Sequence, residues 1–278
     1  MNQEFEEIDL MNDEIISSAQ NPLIKKIRSL KTRKARVREG AFWVEGLAPV
    51  IEAIDAGWDV QSLVRSPDLL NSEAAIRFLS SVDINERILS AELFGKISDR
   101  DGPAGLGAIV STRDLELSDL EVRPDSLVAI LVEPQDPGNL GTIIRTSYCA
   151  GVSAVVLVGH ATDPFDPKSV RASMGALFRI PVVRAAGAED LVRWASDAGV
   201  WLTGTSSRAD KCYRTAEYGL PHGIVMGNEQ KGIPEDLADA CTSLVSIPMT
   251  GTVNSLNLSA AAAIILYEAA IQTGKHKD

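Results

Sequence analysis

Hydrogen-bonding side chains crowd the start of a long alanine-rich helix near the C-terminus. The segment reads IPMTGTVNSLNLSAAAAIILYEAA (247–270), and Asn254, Ser255, Asn257 and Ser259 fall within six positions. A helix end needs only one or two capping side chains, so these residues cannot all be caps. The surplus of amide and hydroxyl groups indicates a binding site at the end of the strand that precedes the helix.

A second loop, EPQDPGNLGTIIRT (133–146), offers an amide and a guanidinium after an apolar strand. The residues DPG (136–138) predict a tight turn, and Asn139 is the expected cap of the helix that follows. Arg145 lies nearly two turns into that helix. A guanidinium can bind a phosphate or stabilise charge that develops on an oxygen. Alternatively, the segment is purely structural: residues 136–138 form a turn, Asn139 caps the helix and Arg145 is a surface charge.

A third loop, MGNEQKGIPED (226–236), joins a strand to a helix. Gly227 and Gly232 let the backbone approach a flat ligand closely, because they carry no Cβ. Asn228 and Glu229 add an amide and a carboxylate at the mouth of the loop. Taken alone, this pattern also fits an ordinary strand–helix connection.

The common catalytic motifs are absent from the chain. There is no P-loop, no G-x-G-x-x-G after a strand, no G-x-S-x-G and no H-E-x-x-H. The three histidines are isolated from one another, so neither a metal site nor a histidine base is expected. The three cysteines are scattered, which favours a reducing cytoplasm. No apolar run reaches the roughly 18 residues of a membrane-spanning helix, so no membrane partner is expected.

From residue 126 onward, strand-like and helical stretches alternate, which predicts an open parallel sheet covered on both faces. In such sheets, ligands lie beyond the carboxyl ends of the strands, where the three polar loops fall. The predicted strands are 127–133, 154–159, 181–183, 200–205, 223–227 and 244–248. The predicted helices are 139–150, 167–178, 187–198, 234–240 and 255–272.

The N-terminal half predicts a separate, smaller domain. Residues 1–14 are acidic and polar, which indicates a disordered tail. Residues 15–113 predict a small α/β domain, and the charged, weakly periodic segment 114–125 predicts a linker before the domain 126–278. The expected strands of the small domain are 41–46, 60–66 and 105–111, and its expected helices include 47–57 and 72–82.

Positive charge is concentrated in one segment of an acidic chain. The net charge is -11, yet NPLIKKIRSLKTRKARVREG (21–40) holds eight basic residues and one glutamate, a net +7 that leaves -18 elsewhere. Such a stripe indicates a contact with the phosphates of a nucleic acid. An amphipathic helix that buries Leu23, Ile27 and Leu30 is equally consistent with the pattern. The basic residues of the stripe are Lys25, Lys26, Arg28, Lys31, Arg33, Lys34, Arg36 and Arg38.

In their order and spacing, DPGNLGTIIRT, MGNEQKG and IPMTGTVNSLNLSAA resemble the three motifs of SpoU/TrmH-type RNA ribose 2′-O-methyltransferases of the SPOUT class. KSVRASMGALFRIPV (168–182) is similar to the family as well, and residues 16–46 resemble its L30e-like substrate-binding domain. The resemblance implies an α/β fold, with a SPOUT-type parallel sheet that ends in a C-terminal trefoil knot. It also implies S-adenosyl-L-methionine as cofactor and a homodimer.

The resemblance assigns roles to residues at matching positions. Two departures stand out: Gln230 replaces a common glycine, and Leu47 replaces a common basic residue. The implied active-site positions are Arg145, Asn139, Glu229, Ser255 and Asn257. The implied cofactor contacts are Thr203, Gly204, Gly227, Ile247 and Leu256.

The implied activity is methylation of a ribose 2′-hydroxyl in structured RNA, with ribosomal RNA expected because of the extra N-terminal domain. A transfer-RNA methyltransferase and a non-catalytic RNA-binding protein of the same fold remain alternatives. The resemblance leaves two roles open for Arg145, as a base or as a fork that binds phosphate and stabilises charge. The fork is favoured, because a guanidinium holds its proton tightly.

Overall fold

The computed structural model describes residues 15–70, 72–252 and 255–275. The chain divides into two compact units, residues 1–111 and 112–278, which we call unit 1 and unit 2. The acidic tail predicted over residues 1–14 lies outside the described residues, and so does Asn254.

Unit 1 contains a four-stranded mixed sheet with the strand order β1-β4-β2-β3. Strand β4 is antiparallel to β1 and β2, whereas β3 is parallel to β2. The strands are β1 (Ala41–Glu45), β2 (Val60–Arg65), β3 (Glu86–Ile88) and β4 (Leu106–Ser111). The helices are α1 (Pro22–Ser29), α2 (Arg33–Glu39), α3 (Leu47–Asp55), α4 (Glu73–Leu79) and α5 (Ala91–Ile97).

The basic stripe forms helices α1 and α2. Asn21 caps α1 by accepting the Leu23 N–H, and Thr32 caps α2 by accepting the Ala35 N–H. Ile27 and Leu30 are fully buried in the core of unit 1, as the amphipathic spacing predicts. The apolar face therefore anchors the stripe, and the opposite face turns most of its positive charges to solvent.

Arg36 is an exception within the stripe. Its side chain is only 2% exposed, and Nη1 donates to the carbonyl oxygens of Leu30 (2.9 Å) and Lys31 (3.0 Å). These carbonyls follow the end of α1, where a cation compensates free acceptors and the negative end of the helix dipole. The prediction of an RNA contact therefore fails for Arg36, which stabilises the fold.

Unit 2 is built on an eight-stranded sheet with the order β10-β12-β9-β11-β6-β7-β8-β5, and every pairing in it is parallel. Strands β6, β7 and β11 are buried at every position, as expected for a sheet covered on both faces. The strands are β5 (Leu115–Glu116), β6 (Leu127–Val132), β7 (Ala154–Val158), β8 (Val182–Ala185), β9 (Trp201–Thr205), β10 (Lys211–Cys212), β11 (His222–Met226) and β12 (Ser243–Ser246).

Helices connect most of these strands, and two of them pack unusually closely. A Cβ on Gly141 would lie 2.2 Å from the carbonyl oxygen of Ser169, so the approach of α6 to α7 requires glycine at this position. The helices of unit 2 are α6 (Pro137–Cys149), α7 (Pro167–Ser173), α8 (Ala188–Asp197), α9 (Glu235–Ala240) and α10 (Leu258–Gln272).

The segment predicted as a linker, 114–125, is part of unit 2. Its strand β5 pairs with β8 at the edge of the sheet. Leu117, Leu120 and Val122 are partly buried against the sheet core. This segment has weak hydrophobic periodicity because its two-residue strand and its single 3₁₀ turn (Leu117–Asp119) are too short to show a repeating pattern.

Strand β12 lies between β9 and β10, although β10 precedes it in the sequence. The segment that leads from β9 through β10 to β11 therefore passes beyond β12 at the edge of the sheet. The trefoil knot implied by the family resemblance stays a prediction. In the part of the chain that the structure describes, no helix is both long and apolar enough to cross a bilayer.

The buried guanidinium of Arg36 leads to a stability prediction. Arg36→Ala leaves the buried Leu30 carbonyl and the partly buried Lys31 carbonyl without a charged donor, and it should lower the free energy of unfolding by about 2–4 kcal/mol. Urea denaturation followed by circular dichroism measures the loss.

Arg33→Ala is the matched control, because Arg33 is an exposed residue of the same helix. It should change stability by less than about 0.5 kcal/mol. Equal losses in the two variants would contradict the structural role of Arg36.

Candidate active site

The three polar loops meet at the carboxyl edge of the unit 2 sheet. Asn257 Nδ2 donates to Asn139 Oδ1 at 3.0 Å, and Asn139 Nδ2 donates to Glu229 Oε1 at 3.4 Å. These residues are 90 and 118 positions apart in sequence, as measured from Asn139. The hydrogen bonds join the first turn of α6, which follows β6, to the loops that follow β11 and β12.

Asp136, and not the predicted Asn139, caps helix α6. Asp136 Oδ1 accepts the backbone N–H of Asn139 at 2.8 Å, and Pro137 occupies the first turn. Lys168 Nζ lies 2.7 Å from Asp136 Oδ2 and lowers the pKa of that carboxyl. Because Asp136 does the capping, the amide of Asn139 is free to bond Glu229 and Asn257.

The loop that carries Glu229 is fixed by its neighbour Asn228. Asn228 Nδ2 donates to the Glu133 carbonyl at 2.8 Å, and its Oδ1 accepts the N–H groups of Gln230 (2.9 Å) and Lys231 (3.1 Å). Glu133 itself has a positive φ of 46°, an uncommon conformation for a residue with a side chain. Asn228 therefore ties the loop after β11 to the loop after β6.

The glycines of this loop have distinct structural reasons. A Cβ on Gly227 would lie 2.2 Å from the carbonyl carbon of Gly232, so the two backbones approach too closely for any side chain. Gly232 has a φ of +73°, which favours glycine. Gln230 has no positive φ, so the side chain found here instead of glycine causes no backbone strain.

The loop after β12 leads directly into α10. Asn257 Oδ1 accepts from the Ser259 N–H (2.9 Å) and the Ser259 hydroxyl (2.6 Å), so Asn257 is the cap of α10 and Ser259 supports it. Ser255 is exposed beside this cap. Leu256 is 39% exposed and Ile247 is half-buried. The loop therefore offers an apolar surface next to the hydrogen-bonded amides.

Arg145 does not join the hydrogen-bonded chain. It is exposed on α6, six residues after Asn139, which corresponds to roughly 9 Å along the helix axis. Among the described residues, its guanidinium makes no ion pair or side-chain hydrogen bond. The guanidinium is therefore open to a ligand.

Thr203 and Gly204, two of the implied cofactor contacts, lie within strand β9. Thr203 Oγ1 is 2.9 Å from Nε2 of buried His222 and 3.3 Å from Ser243 Oγ. Burial lowers the pKa of His222. A Cβ on Gly204 would lie 2.6 Å from the Leu244 side chain. The side chain of Thr203 is thus occupied, and packing explains Gly204.

A cleft of about 700 Å³ opens beside the hydrogen-bonded chain. The sequence interpretation missed Gln135, His160 and Lys231, although each lies in a loop at the carboxyl end of a strand. No cluster of three or more possible metal ligands occurs within residues 15–70, 72–252 and 255–275. The cleft is lined by Glu133, Gln135, Asp136, Asn139, His160, Asn228, Glu229, Gln230 and Lys231.

Comparison with known protein families identifies the family to which unit 2 is similar. Residues 126–267, which include all three loops, match the SpoU rRNA Methylase family. The chain belongs to this SpoU family. Residues 21–108 match the MRM3-like substrate binding domain, which agrees with the predicted role of the N-terminal domain.

SpoU relatives resemble the chain along most of its length. The 23S rRNA (uridine(2479)-2′-O)-methyltransferase of Streptomyces viridochromogenes is 33% identical over 87% of both chains. The 23S rRNA (guanosine(2553)-2′-O)-methyltransferase RlmP of Bacillus subtilis is 30% identical over 91% of this chain and 97% of its own. The crystal structure of an AdoMet-bound rRNA methyltransferase from Sinorhizobium meliloti superimposes with a TM-score of 0.83. It is 38% identical and covers 92% of this chain and 97% of its own.

The close backbone approach in the loop after β11 leads to a prediction. Gly227→Ala places a methyl group against the Gly232 backbone and should cost about 1–3 kcal/mol in stability. Thermal unfolding of the purified protein measures this loss.

Gly219→Ala serves as the control, because a Cβ at Gly219 meets nothing within 4 Å. Its melting temperature should stay close to that of the wild type. An unchanged melting temperature for Gly227→Ala would show that the two backbones are not held together in solution.

Proposed function

We propose that this protein methylates a ribose 2′-hydroxyl in ribosomal RNA, with S-adenosyl-L-methionine as the methyl donor. The observation that supports this most strongly is the hydrogen-bonded chain Asn257–Asn139–Glu229, which joins three loops separated in sequence. Similarity to rRNA 2′-O-methyltransferases over most of the chain supports the same activity.

The residues beyond β11 and β12 fit the proposed cofactor. Ile247 and Leu256 provide partly exposed apolar surface suited to an adenine ring. Gly227, another implied cofactor contact, allows two backbone segments of the loop after β11 to lie together. When bound, S-adenosyl-L-methionine supplies a methyl group that is already activated for displacement.

The chain's own residues would then hold and orient the acceptor ribose. Asn139 and Asn257 fix each other's amide groups, and Ser255 adds a hydroxyl beside them. Arg145 would bind the phosphate next to the ribose through its bidentate fork. Orientation of this kind supplies much of the rate enhancement without a metal.

The hydroxyl proton also needs an acceptor. Arg145 is a poor base because its guanidinium holds its proton tightly. Glu229 is the carboxylate within the hydrogen-bonded chain, and Asn139 holds its Oε1 in place. We assign proton acceptance to the Glu229 carboxylate, directly or through a water molecule.

We propose that unit 1 binds the RNA through the exposed side of the basic stripe. Arg36 is excluded because it is buried. Lys31 pairs with Asp99, and Lys26 bonds to Gln61, so these two side chains are held in place on the surface of unit 1. Arg38 pairs with its neighbour Glu39, but its side chain stays 64% exposed. The exposed residues proposed to bind phosphate are Lys25, Arg28, Arg33, Lys34 and Arg38.

We also propose a homodimer in the cytoplasm, with the C-terminal segment knotted as in the family resemblance. Exposed apolar side chains support an interface on the outer helices of unit 2. Tyr148 on α6 and Ile271 on α10 are 48% and 60% exposed. Light scattering of the purified protein measures its mass in solution.

Mapping of 2′-O-methyl groups in total RNA, from a deletion strain and its parent, tests the activity and the substrate together. Loss of one ribosomal site, restored by the wild-type gene, is the expected result. Loss of a transfer-RNA site would instead identify a tRNA methyltransferase. An unchanged methylation map, with no binding of S-adenosyl-L-methionine by calorimetry, would favour the non-catalytic RNA-binding protein.

Arg145→Ala should abolish methyl transfer, because no other group replaces the charged fork. Affinity for S-adenosyl-L-methionine should stay within a few-fold of the wild type, since Arg145 lies outside the proposed cofactor contacts. Arg145→Lys should also be poor, because lysine has no bidentate geometry. Single-turnover transfer and calorimetry provide the two readouts.

Arg193→Ala, on the exposed side of α8, is the control for the loss of a positive charge. Arg193 forms a surface pair with Asp190, and pairs of this kind contribute little to stability. Full activity of Arg145→Ala would remove Arg145 from the mechanism.

Replacing Lys25, Arg28, Arg33, Lys34 and Arg38 by glutamine should weaken RNA binding and reduce its salt dependence by up to about one unit of slope per lost phosphate contact. Cofactor affinity should not change. Filter binding at several salt concentrations measures the slope.

The control neutralises Arg77 and Lys96, which lie elsewhere on unit 1 and pair with Glu73 and Glu92 along their own helices. RNA affinity and salt slope should then stay near the wild-type values. An equal loss in both variants would indicate a general charge effect and not a defined binding face.

A further inference from the structure

The cleft beside the hydrogen-bonded chain is separate from the proposed cofactor surface. Its lining comes from the loops after β6, β7 and β11, whereas Ile247 and Leu256 are not part of it. Asn139 and Glu229 line the cleft and belong to the chain that orients the ribose. A nucleotide whose ribose lies at Asn139 can therefore extend its base into this space.

Gln135 lines the cleft, and two hydrogen bonds orient its side-chain amide. Its Nε2 donates to the carbonyl of Glu133 at 2.8 Å and to the carbonyl of His160 at 3.4 Å. A carbonyl oxygen can only accept, so the amide nitrogen must face these two groups. The Oε1 atom of Gln135 consequently points away from them as an acceptor, and it has no partner among the described residues.

Two further side chains complete a nucleotide-sized site. His160 is exposed at the wall of the cleft, and an imidazole offers a flat face on which a base can stack. Lys231 is also exposed, and its Nζ lies 3.9 Å from a carboxylate oxygen of Glu133. A stacking ring, an oriented acceptor and a cation are the groups that bind an unstacked nucleotide.

We propose that this cleft binds the base of the acceptor nucleotide and that Gln135 selects uridine or guanosine there. This inference rests on the proposed methyl transfer. Uracil and guanine carry a ring N–H on the Watson–Crick edge, which Gln135 Oε1 can accept. Cytosine and adenine present a ring-nitrogen lone pair at that position, which repels the oxygen even though an amino group lies beside it.

Selection arises because the orientation of Gln135 is fixed. Two backbone carbonyls hold its Nε2, so the amide cannot rotate to offer a donor to cytosine or adenine without losing both bonds. A site that hydrogen-bonds its correct substrate rejects analogues that lack the matching group. His160 contributes affinity and not selection, because every base has a face that can stack.

The test begins with the methyl-group map of the deletion strain and continues with the full-length enzyme. Ribosomal RNA transcripts are prepared with each of the four bases at the mapped nucleotide, and kcat/KM is measured for each. The mapped nucleotide should be uridine or guanosine. Its replacement by cytidine or adenosine should lower kcat/KM by about tenfold or more.

Three variants separate selection from a structural effect. Gln135→Leu should bring the ratio between the native transcript and the cytidine or adenosine transcript close to one. His160→Ala should lower activity on all four transcripts by the same factor. Gln230→Leu removes another amide from the cleft, one whose side chain makes no hydrogen bond among the described residues, and should leave the ratio unchanged.

The outcomes distinguish this inference from the proposed function. A mapped cytidine or adenosine, or a ratio unaffected by Gln135→Leu, overturns the inference and leaves the methyltransferase intact. The inference is also overturned if the preference for the native transcript disappears in Gln230→Leu but remains in Gln135→Leu. A deletion strain that loses no methyl group overturns both the inference and the proposed function. The transcript series with the wild-type enzyme does not depend on the folding of any variant.

Discussion

The hydrogen bonds from Asn257 through Asn139 to Glu229 are the interaction on which the site depends. Each comes from a different loop, and the loops meet only because all the strands of the unit 2 sheet run in one direction. Parallel strands place their carboxyl ends at one edge, so a single edge collects every loop that follows a strand. The buried core strands fix the edge, and the amides then fix the loops relative to one another.

Secondary contacts make this arrangement rigid. Asp136 caps α6 and releases the Asn139 amide, while Asn228 ties the Glu229 loop to the carbonyl of Glu133. The same carbonyl accepts a bond from Gln135. The carbonyl of Glu133, a residue with an uncommon backbone conformation, thus accepts hydrogen bonds from side chains of two loops.

Much of this fold follows from sequence patterns alone. Alternating apolar and helical stretches predict the main strands of unit 2, because buried parallel strands are apolar on both faces. Two-residue strands such as β5 and β10 carry no detectable period. Asp136 and Asn139 are both good caps, so only the three-dimensional structure decides between them. The burial of Arg36 is equally invisible in a stripe of basic residues, since it depends on carbonyls at the end of a neighbouring helix.

The small side chain of Asn257 has two hydrogen-bonding roles. Its Oδ1 caps the N-terminus of α10, and its Nδ2 donates a hydrogen bond to Asn139. Aspartate could start the helix but could not donate to Asn139, serine is too short to do both at once, and glutamine places its amide one carbon too far for the cap. Natural drift or directed evolution toward a new RNA target must therefore change the walls of the cleft and leave this asparagine untouched.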